Sequence, residues 1–332
     1  MENKILSMGF NQINDCFAIG TTTGFETYSC NPFSKLISKN FGKGIAKIEM
    51  LYKCNIFAFV GGGENPKYSP NHVIIWDDFQ NKEIGTIPFK SEVKGVKLTR
   101  DRIIVILEYK VYIYNFSDLK LINSIETTSN PNGLVSISSI EKDYILATLG
   151  LEEGHMRIET TFNREVINIP AHKSAITYYT LNTDGMLLAT ASEAGTLIRI
   201  FSTYDGKLLR EFRRGITSSK INNISFSDNS EHIAVSSDKG TVHLYSLKTL
   251  NPLPALSFMG NFLPSYFSNE TSFAKFYIPD VTSDVKAITC FQKGKNCILV
   301  LCDNGISYNV EFAEDGTCTI LDSNKFNVEK EL

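Results

Sequence analysis

The sequence has little charge of one sign to spare: 33 Lys+Arg stand against 36 Asp+Glu, a net −3 over 332 residues. That near-balance argues against a globally basic nucleic-acid binder, while a local basic site stays compatible with it. Long hydrophobic runs are missing too. The longest, such as residues 297–302, fall far short of the roughly 20 residues that span a bilayer, so any membrane contact is expected at the surface. Residues 1–10 carry Glu2 and no long apolar stretch, and a secretory leader is not expected there. The cysteines, Cys16, Cys30, Cys54, Cys290, Cys297, Cys302 and Cys318, show no C-x-x-C spacing, and most lie in apolar runs. Zinc sites and disulfide frameworks need paired spacings that are missing, so buried free thiols in a reducing compartment are the expectation. His72, His155, His172, His232 and His243 show no H-E-x-x-H pattern, and no G-x-S-x-G elbow occurs. Gly61-Gly62-Gly63 lacks the Gly-Lys-Ser/Thr of a phosphate loop. No catalytic residue, metal ligand or cofactor is assigned, and the chain is not expected to be an enzyme.

What the sequence has is a repeat. At 42% hydrophobic composition this length can bury a substantial core. Long helical periodicity is hard to find, and short β-rich runs separated by turns recur instead. The groups open near Ile5, Ile45, Val93, Gly133, Ile176, Ile221 and Val285, about 40–48 residues apart except for a last interval of about 64. This is the period of a WD-type blade. In the fifth group the runs are residues 176–181, 187–192, 197–202 and 208–212, with Asp184-Gly185 and Asp205-Gly206 as hairpin turns. The sixth reads 221–227, 232–237 and 242–247, with its fourth strand delayed, and Trp76-Asp77 closes the third strand of the second. The expected fold is all-β, a single seven-bladed β-propeller over residues 1–332. The first and last groups each hold four runs, so closure is expected without a strand borrowed from the far terminus. A long β-sandwich array is the alternative, which the regular period disfavours.

Arg213 and Arg214 end the fourth strand of the fifth group, before Gly215. Successive strand side chains point to opposite faces, so the two arginines are expected to diverge toward separate pockets. Ser192, Thr196 and Arg199 flank one side, and Ser237, Thr241 and His243 the other. The two stretches echo each other, with one extra residue before Arg199. Hydroxyls, a Gly-Thr turn and a planar guanidinium suit phosphate oxygens. Serines, threonines and glycines are ordinary at blade turns, however, and an arginine pair at a strand end is often a solvated rim. Periodicity does not decide between the two readings.

Phe212-Arg213-Arg214-Gly215, following Leu188-Ala189-Thr190-Ala191-Ser192-Glu193 and Gly195-Thr196-Leu197-Ile198-Arg199-Ile200-Phe201, resembles the PROPPINs. That family comprises seven-bladed propellers that bind phosphatidylinositol 3-phosphate and phosphatidylinositol 3,5-bisphosphate in autophagy and endolysosomal traffic. Val60-Gly61-Gly62-Gly63, Ile75-Trp76-Asp77-Asp78 and Ser272-Phe273-Ala274-Lys275-Phe276 resemble the branch of WD-repeat phosphoinositide-interacting proteins 3 and 4. The resemblance implies one headgroup site from His172, Ser192, Thr196, Arg199 and Arg213, and a second from Arg214, Ser237, Thr241 and His243. Ala194 stands where relatives commonly have Lys, implying weaker binding at the first site. Ile13 stands where the branch usually has an acid. This weakens the implied contact, through blades 1–3, with an autophagy lipid-transfer protein of the autophagy-related protein 2 type.

The extra length before the seventh group, residues 248–273, is rich in apolar side chains and holds Pro252, Pro254 and Pro264. By resemblance it is a membrane-facing loop within blade 6, with Leu256, Phe258, Met259, Phe262 and Leu263 as insertion residues. Residues 258–263 are the expected tip, and 266–276 the part that docks onto the propeller. The implied protein is a monomeric cytoplasmic effector on phosphoinositide-containing membranes, autophagosomal, endosomal or vacuolar/lysosomal, that recruits other components and binds no nucleic acid. The competing reading is a lipid-independent WD-repeat scaffold.

Overall fold

The computed structural model describes residues 3–140, 143–160, 165–248, 270–279, 281 and 285–327. These residues form seven sheets in succession, antiparallel apart from one two-residue edge strand: 5–40, 45–88, 95–126, 136–170, 176–213 with 270–271, 221–246 with 274–277, and 287–325. They are the blades of an all-β, seven-bladed propeller. The chain divides into two compact units. One holds Met1–Val135, Leu299–Asn309 and Asp322–Leu332, the other Ser136–Ile298 and Val310–Leu321. No helix among the described residues is long and apolar enough to cross a membrane.

Within a blade, burial follows strand rank. The second strands Cys16–Thr21, Leu187–Ser192, His232–Ser237 and Cys297–Cys302 are buried at every position. A strand covered on both faces reads as a run of apolar and small residues rather than an alternation. The fourth strands Phe33–Asn40 and Lys82–Pro88 are largely exposed and accordingly polar. In the first unit Phe25, Phe57, Phe59 and Trp76 form an aromatic core between the first two blades. In the second unit Ile198, Ile200 and Phe212 of blade five meet Ile224, Val235 and Tyr245 of blade six.

The strand boundaries of blade five follow the sequence reading to within a residue: Ile176–Leu181, Leu187–Ser192, Leu197–Ser202 and Leu208–Arg213. Gly185 and Gly206 take φ of 76° and 71° in the expected turns, a region where only glycine is unstrained. Blades three, four and seven begin later than the sequence implied, at Gly95, Ser136 and Ala287 rather than near Val93, Gly133 and Val285. The residues before them spend backbone groups outside the blade ladders: Val93 N–H bonds Pro70 O in a distant loop, and Gly133 N–H bonds Asn130 O in a turn. The first and last blades each own four strands, as expected.

The delayed fourth strand of blade six is Ala274–Tyr277, paired with Thr241–Ser246. Just before it, Glu270–Thr271 pairs in parallel with the outer strand of blade five, Phe212 opposite Glu270 and Arg213 opposite Thr271. The described part of the segment expected to dock is therefore sheet in two neighbouring blades. Leu256, Phe258, Met259, Phe262 and Leu263 lie outside the described residues. Of the seven thiols five are buried; Cys318 is half-buried and Cys54 exposed rather than buried, Cys54 because it sits in the turn between two strands.

Candidate functional site

Every headgroup residue named from the sequence lies in the second unit, along the fifth and sixth blades. The divergence of Arg213 and Arg214 is set by register. Arg213 stands opposite Leu197 and Glu211 opposite Arg199, so the four share one face of blade five. Phe212 points the other way, toward Tyr245 of blade six at 4.8 Å. Arg214 follows on that second side, with its N–H on Thr196 O.

On the first face, Arg199 is held by the blade itself. Its Nε donates to Glu211 Oε2 at 2.6 Å and its Nη1 to Ala171 O at 2.6 Å. His172 Nε2 meets Thr190 Oγ1 at 2.9 Å, leaving Nδ1 as the nitrogen able to meet a ligand. Burial and the Arg199 charge push the His172 pKa down to about 4, so the ring is neutral at physiological pH. Ser192 is buried at the end of its strand, and Thr196 is half-buried in the turn. Arg213 is half-buried at the end of the outer strand.

On the second face, Arg214 is clamped by backbone. Its Nε donates to Gly195 O at 2.7 Å and its Nη2 to Thr217 O. Of the five guanidinium N–H groups, two are thus committed, fixing the plane and leaving three. Gly195 is required there: at φ 56°, a Cβ would lie 1.8 Å from Ser219 O. Ser237 is opposite Thr241, placing both on one face with His243. Ser237 Oγ is buried (1% residue exposure) and has no hydrogen-bond partner among the described residues. A buried hydroxyl left unsatisfied costs about 1–3 kcal/mol, which a ligand oxygen would recover. His243 Nδ1 meets Ser272 Oγ at 3.2 Å, and its pKa is pushed down to about 4 by burial, Lys275 and Arg214.

The extra residue before Arg199 lies in the turn. Six residues separate the paired Ala191 and Ile198, against five between Ser236 and Val242. Three neighbours of the site escaped the sequence reading. Glu211 was recoverable by alternation, since it shares Arg213's face. Asp238, bonded by Ser219 Oγ, sits in the stretch already singled out. Lys275 stands directly opposite His243, a relation hidden by the insertion between their strands. No cluster of His, Cys, Asp or Glu among the described residues could hold a metal. The chemistry available is anion binding by fixed guanidinium, hydroxyl and neutral imidazole donors.

A family model described as PROPPIN matches residues 5–292. Autophagy-related protein 18e of Arabidopsis thaliana is 41% identical over 308 residues, covering 90% of this chain and 81% of that protein. The fold is similar to Hsv2 of Kluyveromyces marxianus, with a TM-score of 0.82 at 22% identity over 98% of this chain and 100% of that one. It is also similar to KlAtg21, solved in complex with the coiled-coil of AgAtg16, with a TM-score of 0.77 at 24% identity over 98% and 100%.

Proposed function

The chain belongs to the PROPPIN family, and from that premise we propose that it is a phosphoinositide effector with two headgroup sites, one on each face of blade five. The first site comprises His172, Ser192, Thr196, Arg199 and Arg213, the second Arg214, Ser237, Thr241 and His243. The observation that carries the reading is the second face. A backbone-clamped guanidinium, a neutral histidine and an orphaned buried hydroxyl belong to one pocket wall, and a phosphate monoester supplies the acceptors they lack.

The ligands proposed are phosphatidylinositol 3-phosphate and phosphatidylinositol 3,5-bisphosphate, and the setting is autophagy or endolysosomal traffic on cytoplasmic membrane surfaces. Two weak headgroup contacts on one rigid body bind a membrane far better than either alone. Leu256, Phe258, Met259, Phe262 and Leu263 are proposed to add apolar anchorage. The protein acts by recruiting others and performs no catalysis.

A protein partner is proposed on blades one to three. The turn at Ile13 is locked by Gln12, whose Nε2 donates to Met50 O at 2.7 Å and Leu98 O at 2.9 Å, while Tyr52 N–H donates to its Oε1 at 2.7 Å. Ile13 itself is 53% exposed, an apolar tip on a rigid base. A lipid-transfer protein of the autophagy-related protein 2 type is the candidate, met there by an apolar rather than an acidic contact.

Flotation with phosphatidylcholine vesicles, with and without phosphatidylinositol 3-phosphate, tests the lipid reading. Wild type is expected to float only with the inositide, and Arg213→Thr/Arg214→Thr not at all, while its circular dichroism remains that of the folded wild type. Equal flotation of both proteins would move binding away from the arginines. Unchanged cellular location of the double variant would favour the lipid-independent scaffold.

A further inference from the structure

The two faces of blade five differ in a way their shared motif conceals. Across from Arg199, the outer strand of blade five places Glu211, which pairs with it at 2.6 Å. Across from His243, the outer strand of blade six places Lys275. The same structural position thus carries an acid at the first site and a base at the second. Residues directly opposite on neighbouring strands lie on one face with Cβ atoms about 4.5–5.5 Å apart, so Lys275 belongs to the wall formed by His243, Thr241 and Ser237.

Lys275 is exposed and makes no ion pair or hydrogen bond among the described residues. Its charge and that of Arg214 both act on His243. Two cations flank a histidine beside an orphaned hydroxyl; Asp238 acts on Arg214, but no carboxylate among the described residues pairs with Lys275. One phosphate already finds enough donors in Arg214, Ser237, Thr241 and His243. A second would bring about two further negative charges, and Lys275 is the cation on that wall placed to meet them.

We propose that Lys275 is a ligand of the second site and meets a second phosphate, so that this site prefers inositol headgroups carrying two phosphates to those carrying one. The first site, with Arg199 already neutralised by Glu211, binds both without that preference. This inference rests on the phosphoinositide reading above and adds to it a residue and a division of labour between the sites.

The test uses the full chain carrying Arg213→Thr, which silences the first site, with and without Lys275→Gln. Binding is measured to phosphatidylcholine vesicles containing either phosphatidylinositol 3-phosphate or phosphatidylinositol 3,5-bisphosphate. Lys275→Gln is expected to weaken binding of the bisphosphate about tenfold, the size of one charge-assisted hydrogen bond, and of the monophosphate far less. Lys275→Arg should retain the preference, and the exposed position leaves the melting temperature unchanged. Soluble inositol 1,3,5-trisphosphate should compete, and competition by inorganic phosphate at the same concentration would reduce the site to a general anion trap. Equal binding with and without Lys275→Gln, or equal loss for both lipids, would overturn the assignment while leaving the phosphoinositide reading intact. A wild-type protein that binds neither vesicle would overturn both.

Discussion

His172 and His243 are each held near pKa 4, His172 by burial and Arg199, His243 by burial, Lys275 and Arg214. An unfolded histidine titrates near 6.5. For a base whose folded pKa is depressed, the unfolded chain takes up the proton first. Stability is therefore full above pH 6.5 and falls as the pH drops toward 4, by of the order of 3 kcal/mol per histidine. Denaturant titrations between pH 7 and 5, above most carboxylate titrations, should show this fall, and His172→Gln/His243→Gln should flatten it. An equally steep fall in the variant would place the acid sensitivity elsewhere. Gly195 is the other decisive residue. Gly195→Ala would drive its Cβ into Ser219 O and move the carbonyl that holds Arg214 Nε. Binding at the second site should drop at least tenfold while the first site still responds to Arg213→Thr.

Among elements, the outer strand of blade six separates structure from binding. Phe276 is buried against the core and pairs with Val242, while its neighbour Lys275 is exposed. Phe276→Ala should cost about 3–5 kcal/mol in denaturant unfolding. A cost near zero would mean that this strand is not seated on its blade. This strand also marks the limit of what the sequence makes legible. Blade five could be read almost to the residue because Asp184-Gly185 and Asp205-Gly206 fix the first and last of its three hairpins, and alternation alone separates Arg213 from Arg214. The partner of His243 could not be read, because residues 247–273 intervene between the paired strands and leave register undefined. The partner of Arg199 depends on the one-residue shift between Ile200 and Phe201, which periodicity does not reveal. The Glu270–Thr271 pairing with blade five has no sequence signal either, being two polar residues joined through backbone.

At the scale of the whole molecule, the first and last described residues, Asn3 and Asn327, meet without sharing a strand. Asn3 Nδ2 donates to Asn327 Oδ1 at 2.9 Å, Asn327 Nδ2 returns a bond to Asn3 O at 2.6 Å, and Asn327 N–H meets Tyr28 Oη at 2.9 Å. Phe326 is buried edge-on against Phe17 at 5.4 Å and Tyr28 at 5.9 Å. Side chains thus do here what an exchanged strand does in other propellers. Phe326→Ala should cost about 3–5 kcal/mol and lower the melting temperature, and an unchanged melt would show that this contact contributes nothing to closure. The same scale holds the central claim, that one blade serves two independent anion sites. The most direct measurement is calorimetric titration of the wild type, Arg213→Thr, Arg214→Thr and the double variant with a soluble short-chain phosphatidylinositol 3-phosphate. Two sites are expected for the wild type, one for each single variant and none for the double. A single site in the wild type, or the loss of all binding in one single variant, would contradict it.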